Sequence, residues 1–422
     1  RRYDILQMAD KDLRFPRPMR RAVEEALADT PVVAVLGPRQ VGKSTLVREL
    51  APNRPFFDLD ESAFGVTAAA DPAGFVDGLP PVVTLDEVQR VPELMRAIKV
   101  AVDRDRRPGR FLLTGSANLL LLPQLSDSLA GRMEVVHLQP LTEAEKERTG
   151  GRFLETFLTG GLGPDIQPAA ASTTGDLVRR LLQGGFPEAC TRTPSRARVW
   201  HRQYLQAVLE RDVRDVAKVR DIHDLRRLLE LLASQSASLL NVSNISRDLG
   251  FARATVDHYL EVLERLFLIR VLPAWHRTTA KRLVKAPKLH LPDTGLAATL
   301  TDLQAEDWNG KRGSFGRLLE SMVVQQLVAQ AGWTDPAIRF WHYRDKDQVE
   351  VDCVVSRGSR IWGVEVKASQ TVAAADTKGL SRLAEQSGND FAGGIVFYSG
   401  TSILPLGNGP FLAVPISKLW EL

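Results

Sequence analysis

Residues 32–50 read VVAVLGPRQVGKSTLVREL, and this stretch decides the fold. Five consecutive apolar residues followed by G-x-x-x-x-G-K-S and a helix-forming run place GPRQVGKS, residues 37–44, between a buried strand and a helix. That context is what phosphate binding needs. The glycines let backbone N–H groups curl around phosphate oxygens, and the helix N-terminus adds a positive dipole end. Lys43 then reaches the β and γ phosphates and Ser44 ligates magnesium. The nucleotide-binding set read here is Gly37, Pro38, Arg39, Gln40, Val41, Gly42, Lys43, Ser44 and Thr45, completed by Asp86.

Working outward, VVTL ends in Asp86 and Glu87, and an acid at the end of a neighbouring strand completes the magnesium shell while the next polarises the attacking water. The plainer alternative makes both acids caps of the next helix. RFLLTGSAN brings Ser116 and Asn118 to a strand end, where they sense the γ-phosphate or merely form a polar terminus. Arg132, in LAGRMEVV, is an arginine finger for a neighbouring subunit or an ordinary surface cation. Across 31–138, short apolar runs alternate with helical stretches, which predicts βαβ units on a parallel sheet.

The remaining chain divides by pattern. TGGLGPDIQPAAASTTG, 159–175, reads as a mobile loop or linker. Residues 176–240 carry helical spacing, and VSNISRDLG followed by FARATVDHYLEVLERL gives two helices joined at Gly250, with strand-like LFLIRVLPAW and KLHL behind them. This predicts a winged helix-turn-helix whose second helix presents Arg253, Thr255 and His258 to a groove. Within 265–292 stand Arg265, Arg270, Arg277, Lys281, Arg282, Lys285 and Lys288 without one acid, and Trp275 and His276 add stacking surface. Such a wing suits a duplex DNA backbone, or else is a solvated hairpin of a protein-interaction module.

In the last hundred residues a helix and the strands VEVDCVV, IWGVEVK and GGIVFYS predict a smaller α/β domain. Asp352 ends one strand, and Glu365 and Lys367 lie 13 and 15 positions later. With Glu320 on the preceding helix, the acids Glu320, Asp352 and Glu365 can hold magnesium or manganese, and Lys367 can activate water for phosphodiester cleavage. A chain this long yields about one D…E-x-K match by chance, so an inert core with an internal ion pair is the competing reading.

The boundaries expected are 1–150 for the ATPase domain, 151–235 for linker and helical subdomain, 236–300 for the winged helix and 301–422 for the nuclease-like domain. With 55 Lys plus Arg against 51 Asp plus Glu and 44% hydrophobic residues, disordered and fibrous classes are excluded. Apolar runs are too short to span a bilayer. Two distant cysteines argue against a disulfide framework, and the N-terminus lacks the apolar core of a secretory signal, so a cytoplasmic home is expected.

The order GPRQVGKS, LDEVQ, LTGSAN, LAGRM, LQPLTEAE, GGFPEA, YLQAVLERDV, HYRDKDQVEVDCVV and VEVKAS closely resembles a bacterial and archaeal group of AAA-like ATPases with a C-terminal domain of unknown function. The resemblance runs from about residue 15 to 396. It implies a multidomain α/β chain: an ASCE/AAA-like P-loop sheet, a helical subdomain, a winged helix-turn-helix and a PD-(D/E)XK restriction-endonuclease-like domain. It further implies Walker A roles for Lys43 and Ser44, Walker B roles for Asp86 and Glu87, a sensor role for Ser116, and nuclease roles for Glu320, Asp352, Glu365 and Lys367. The expected function is ATP hydrolysis with action on DNA and a magnesium-dependent nuclease centre. The alternative is a nucleotide-controlled DNA- or protein-binding switch with an inert nuclease-like domain, in which the ATP state sets homo-oligomerisation or DNA affinity.

Overall fold

The computed structural model describes residues 15–117, 129, 131–169, 173–213, 219, 221–278, 282 and 285–422. The first sheet contains β1 (Val32–Leu36), β2 (Phe56–Asp58), β3 (Val83–Asp86), β4 (Phe111–Gly115) and β5 (Met133–His137), all parallel, in the order β2-β3-β4-β1-β5. Helices α1 (Met19–Asp29), α2 (Lys43–Leu50) and α3 (Leu94–Arg104) cover it. Period-2 alternation divides its side chains. Val33, Val35, Leu112 and Val136 enter the main core, whereas Val32, Ala34, Leu36, Val83, Leu85 and Leu113 pack on the opposite face. One expectation is corrected here: β3 is not beside β1, because β4 is inserted between them.

Next come α4 (Thr174–Gln183), α5 (Pro194–Ala207), a π-helical segment Val208–Asp212, and α6 (Ile222–Ser234). A small unit follows: β6 (Ser238–Leu239), α7 (Val242–Leu249), α8 (Arg253–Arg265), β7 (Arg270–Leu272) and β8 (Lys288–His290). Its strands are antiparallel in the order β6-β8-β7. Gly250 ends α7 at φ +73°, a left-handed cap that a side chain would strain.

After α9 (Thr294–Leu300), the long α10 (Arg312–Thr334) leads into a mixed sheet. Its strands are β9 (Arg339–Arg344), β10 (Glu350–Arg357), β11 (Arg360–Val366), β12 (Phe391–Tyr398), β13 (Leu404–Pro405) and β14 (Phe411–Pro415), with α11 (Lys378–Ser387) crossing from β11 to β12. The order is β13-β14-β12-β11-β10-β9. A register shift between Val351 and Val354 breaks the alternation of β10. Val351 and Val354 therefore share the α11 face, while Cys353 and Val355 join the α10 side. At Gly379 a Cβ would lie 2.0 Å from the Glu350 carbonyl, so only glycine lets α11 sit this close.

Hydrogen bonds tie the region around residue 150 to the C-terminal part of the chain. The Glu143 amide donates to Gln326 Oε1 and the Leu154 amide to Gln330 Oε1, both on α10, and Thr149 Oγ1 donates to the Trp420 carbonyl. One buried core runs from Met19 to Trp420. Within the segment read as a mobile loop or linker, Leu162 is buried and the Ala169 amide donates to the Thr401 carbonyl. Both cysteines are free thiols, and among the described residues no helix is long and apolar enough to cross a membrane.

Candidate functional site

The phosphate loop bends at Gln40 (φ 61°) and Gly42 (φ 96°), and α2 starts immediately after it. At Gly37 a Cβ would lie 2.1 Å from the Leu138 carbonyl, so the first loop glycine is demanded by packing against the residue that follows β5. Lys43 is buried, and its ammonium donates to the Gly37 and Pro38 carbonyls at 3.0 and 2.8 Å. Burial pulls it down to about 8, against the opposing charges of Glu87 and Asp86. Thr45 is exposed on α2.

Ser44 Oγ donates to Asp86 Oδ1 at 3.1 Å, and Thr114 on the intervening β4 donates to the same oxygen. Insertion of β4 thus does not separate the pair, because the two acids stand where β3 ends level with the loop. Burial pushes the Asp86 carboxyl above the usual range, opposed by those two hydroxyls. A serine hydroxyl against a buried carboxylate beside a buried lysine is a donor set that fits a magnesium–nucleotide complex.

Glu87 holds the left-handed conformation, φ 56° and ψ 46°, which costs a non-glycine residue roughly 1 kcal/mol or more. Its amide donates to Thr114 Oγ1 at 3.2 Å. Its carboxylate accepts from Gln89 Nε2 and, at 3.1 Å, from Ser116 Oγ. Gln89 also donates to Ser116 Oγ at 2.8 Å, and the Ser116 amide returns a bond to Gln89 Oε1. Asn118 lies outside the described residues.

Sequence reasoning missed four contributors. Gln89 stands in LDEVQ two positions past Glu87 with no motif of its own, and Thr114 reads as an ordinary strand residue. Arg17 donates to the Val41 and Gln139 carbonyls, each at 2.7 Å, and pairs with Glu145, bracing the loop from 24 positions upstream of Val41. Asp212, in the π-helical segment, pairs with Arg39 of the loop at 2.6 Å. Arg132 is not brought to this site. It stands at the start of β5, the end of the sheet away from the phosphate loop, and pairs with Asp103 at 2.6 Å.

The basic stretch is not the exposed footprint expected. Arg270 is half-buried as a residue, with its guanidinium donating to Gln325 at 2.6 Å and Gln139 at 2.7 Å, and burial lowers it to about 10. Arg265 pairs with Glu261, Lys285 donates to the Arg344 carbonyl, and Arg282 donates to the His276 carbonyl. Trp275 is buried beside Tyr343, so it offers no stacking surface. Arg277 is exposed, and Lys281 lies outside the described residues. On α8, Arg253 and His258 are exposed, whereas Thr255 is half-buried.

The C-terminal acids do converge. They do so within the sheet rather than at its edge, since β10 and β11 are interior strands, and Asp352 stands near the start of β10 rather than at its end. Asp352 Oδ2 accepts the Val366 amide at 2.9 Å, and Lys367 pairs with Glu365 at 2.8 Å. Burial, then the charge of Asp352, pushes Glu365 up to about 8. The unforeseen member is Lys288, which is 2.7 Å from Glu320 and 3.5 Å from Asp352. Burial works against its charge, yet the two carboxylates outweigh this and hold it above the usual lysine range. Among the described residues no group of three or more His, Cys, Asp or Glu side chains is arranged to hold a metal ion. The expected metal set Glu320, Asp352 and Glu365 therefore does not fit a divalent cation in this arrangement, because an ammonium stands between two of its members.

The parallel sheet and its phosphate loop define an AAA-type P-loop ATPase, and residues 29–146 match the family model described as an AAA domain. Residues 174–307 and 315–419 match two domains of unknown function, DUF8612 and DUF4143. The chain is 31% identical over 355 residues to the uncharacterized protein Rv2008c of Mycobacterium tuberculosis, covering 84% of this chain and 73% of the relative. The same figures hold for Mb2031c of Mycobacterium bovis. The chain belongs to the family of these mycobacterial proteins. Among solved structures, the Walker-type ATPase PABY2304 of Pyrococcus abyssi is similar at 18% identity, 67% of this chain, 94% of that chain and a TM-score of 0.41. DnaA of Aquifex aeolicus is similar at 14% identity, 58% and 86% coverage and a TM-score of 0.27.

Proposed function

We propose that this ATPase is a nucleotide-controlled DNA-binding switch whose C-terminal domain is catalytically inert. The observation that carries the reading is the 2.6 Å pair between Arg39 and Asp212, which ties the phosphate loop to the helical region. The π segment bearing Asp212 continues α5 and packs against α6, the helix that leads into the small α/β unit and is counted with it here. We read that unit, helix–strand–helix–helix–strand–strand, as a winged helix-turn-helix, with α8 as the element that enters the major groove through Arg253 and His258. A π segment at the junction is the kind of irregularity that marks functional positions in helices.

In this reading the loop amides and Lys43 bind the triphosphate, and Ser44 and Asp86 hold magnesium, which neutralises phosphate charge when bound. Glu87 orients and polarises the attacking water. Gln89 and Ser116 hold that carboxylate until nucleotide and Ser116 come into register. Arg39 lies within the phosphate loop, so phosphate charge competes with Asp212 for its guanidinium, and the helical region is released or held accordingly.

The alternative, a magnesium-dependent nuclease, requires a metal between carboxylates that Lys288 now bridges. Fluorescence anisotropy with labelled duplex DNA, in the presence of ADP or a non-hydrolysable ATP analogue, tests the switch. The expected result is an affinity that differs between the two states by about tenfold, equivalent to 1.4 kcal/mol of coupling. Equal affinity in both states, or Asp352-dependent cleavage of the duplex with magnesium, would contradict it.

A further inference from the structure

We infer that Lys288 is the resident cation of the C-terminal acidic centre, taking the place of a divalent metal and keying the three-stranded sheet to the C-terminal domain.

β8 is the central strand of its sheet, paired with β6 and β7. Its three residues are all buried. Alternate residues of a strand share a face, so Lys288 and His290 point the same way. They meet successive residues of α10: Lys288 Nζ is 2.7 Å from Glu320 Oε1, and His290 Nδ1 is 3.1 Å from Ser321 Oγ. Ser236, just before β6, adds a 3.0 Å hydroxyl contact to Ser321. The ammonium therefore does not wander into the centre from a flexible surface chain. It is delivered by a strand fixed at both neighbours.

Its position is that of a metal. Glu320 comes from α10, Asp352 from β10 and Glu365 from β11, and Lys288 bridges the first two at 2.7 and 3.5 Å. Magnesium needs oxygen donors at roughly 2.0–2.1 Å around an octahedron, which an ammonium among the same oxygens precludes. Lys367 neutralises only one oxygen of Glu365, and Glu365 Oε2 is buried with no hydrogen-bond partner among the described residues. Three carboxyl groups thus share two ammoniums. Removing Lys288 would leave three carboxyl groups around one, an oxygen donor set open to a divalent ion, whose charge favours their ionised forms.

The consequence reaches past this one centre. Admitting a metal would displace the Lys288 ammonium from between the acids, whereas a chain that uses the acids as a socket for Lys288 gains a charged joint between the three-stranded unit and the last domain.

The test is Mn2+ binding to the whole 422-residue chain without nucleotide, read by loss of the free-ion EPR signal. Wild type is expected to take up no Mn2+ that depends on Asp352. Lys288→Met is expected to gain about one site per chain, lost again in Lys288→Met/Asp352→Asn. Asp352-dependent uptake by wild type would overturn the inference, as would a folded Lys288→Met protein that gains no site. Should Lys288→Met fail to fold, the comparison of wild type with Asp352→Asn alone still decides: a difference in uptake refutes the inference and equality supports it.

Discussion

Arg39, within the phosphate loop, and Asp212, 173 positions later in a π-helical segment, are joined at 2.6 Å. Burial pushes the Asp212 carboxyl upward, and the Arg39 guanidinium opposes that shift. Asp212 is therefore a poor residue to leave alone: without Arg39 it becomes a buried charge that only the more distant Arg90 offsets. A double-mutant cycle of Arg39→Ala and Asp212→Asn should give a coupling of about 1–3 kcal/mol in nucleotide-free protein, and less in the presence of an ATP analogue. Chemical denaturation of the four proteins checks this, and equal coupling with and without nucleotide would remove the pair from the switch.

The carboxylate of Glu87 is held by Gln89 and Ser116. Glu87→Gln is expected to retain nucleotide binding while lowering kcat by about 10²–10⁴-fold, the range for loss of a general base. Gln89→Ala should act in the opposite direction, raising basal turnover by about 2- to 10-fold through loss of one restraining hydrogen bond. Steady-state phosphate release measures both, and a slower Gln89→Ala enzyme would show that the glutamine positions Glu87 instead of restraining it.

Lys43 gives the pH dependence. Burial lowers its ammonium to about 8, below its unfolded value of 10.5. The sign follows from proton counting: between those values the unfolded chain binds more protons, so this group's penalty on folding is largest below 8 and is relieved as pH rises. Nucleotide acts oppositely, because the triphosphate favours the charged lysine. Affinity for an ATP analogue should be flat below pH 8 and fall by up to about tenfold per unit above it, with proton uptake on binding. Calorimetry in buffers of different ionisation enthalpy is the measurement, and unchanged affinity from pH 7 to about 9.5 would contradict it.

DNA contact is expected from α8, not from the whole basic stretch. Arg253→Glu should weaken duplex binding about tenfold or more and reduce the salt slope, while Arg270→Gln should act on stability, since its guanidinium is buried against Gln325 and Gln139. Anisotropy titrations at two salt concentrations separate the cases. Equal losses for both variants at unchanged melting temperature would return the footprint to the wing.

The phosphate loop, β1 through β5 and the two helices meeting at Gly250 were legible because each is local: an apolar run, a glycine pattern, a helical period. The short β6 and the strand Arg339–Arg344, with charged and aromatic residues interleaved, carry no such signal and escaped. At the sites the limit was distance. Arg39 with Asp212, Arg17 with Val41, and Lys288 with Glu320 are pairings across many residues, and a cation cluster read along the chain does not disclose that Arg270 and Lys288 turn inward. Asp352 and Glu365 were found because strand spacing brings them together, but the ion between the acids came from another sheet.

The most direct measurement is magnesium-dependent phosphate release from ATP by wild type beside Lys43→Ala, with thermal unfolding of both. Lys43 lies among the Gly37 and Pro38 carbonyls, next to the Ser44–Asp86 contact. The expected result is steady turnover by wild type and none above background in a folded Lys43→Ala protein. Undiminished turnover by that variant would contradict the assignment of ATP hydrolysis to this loop.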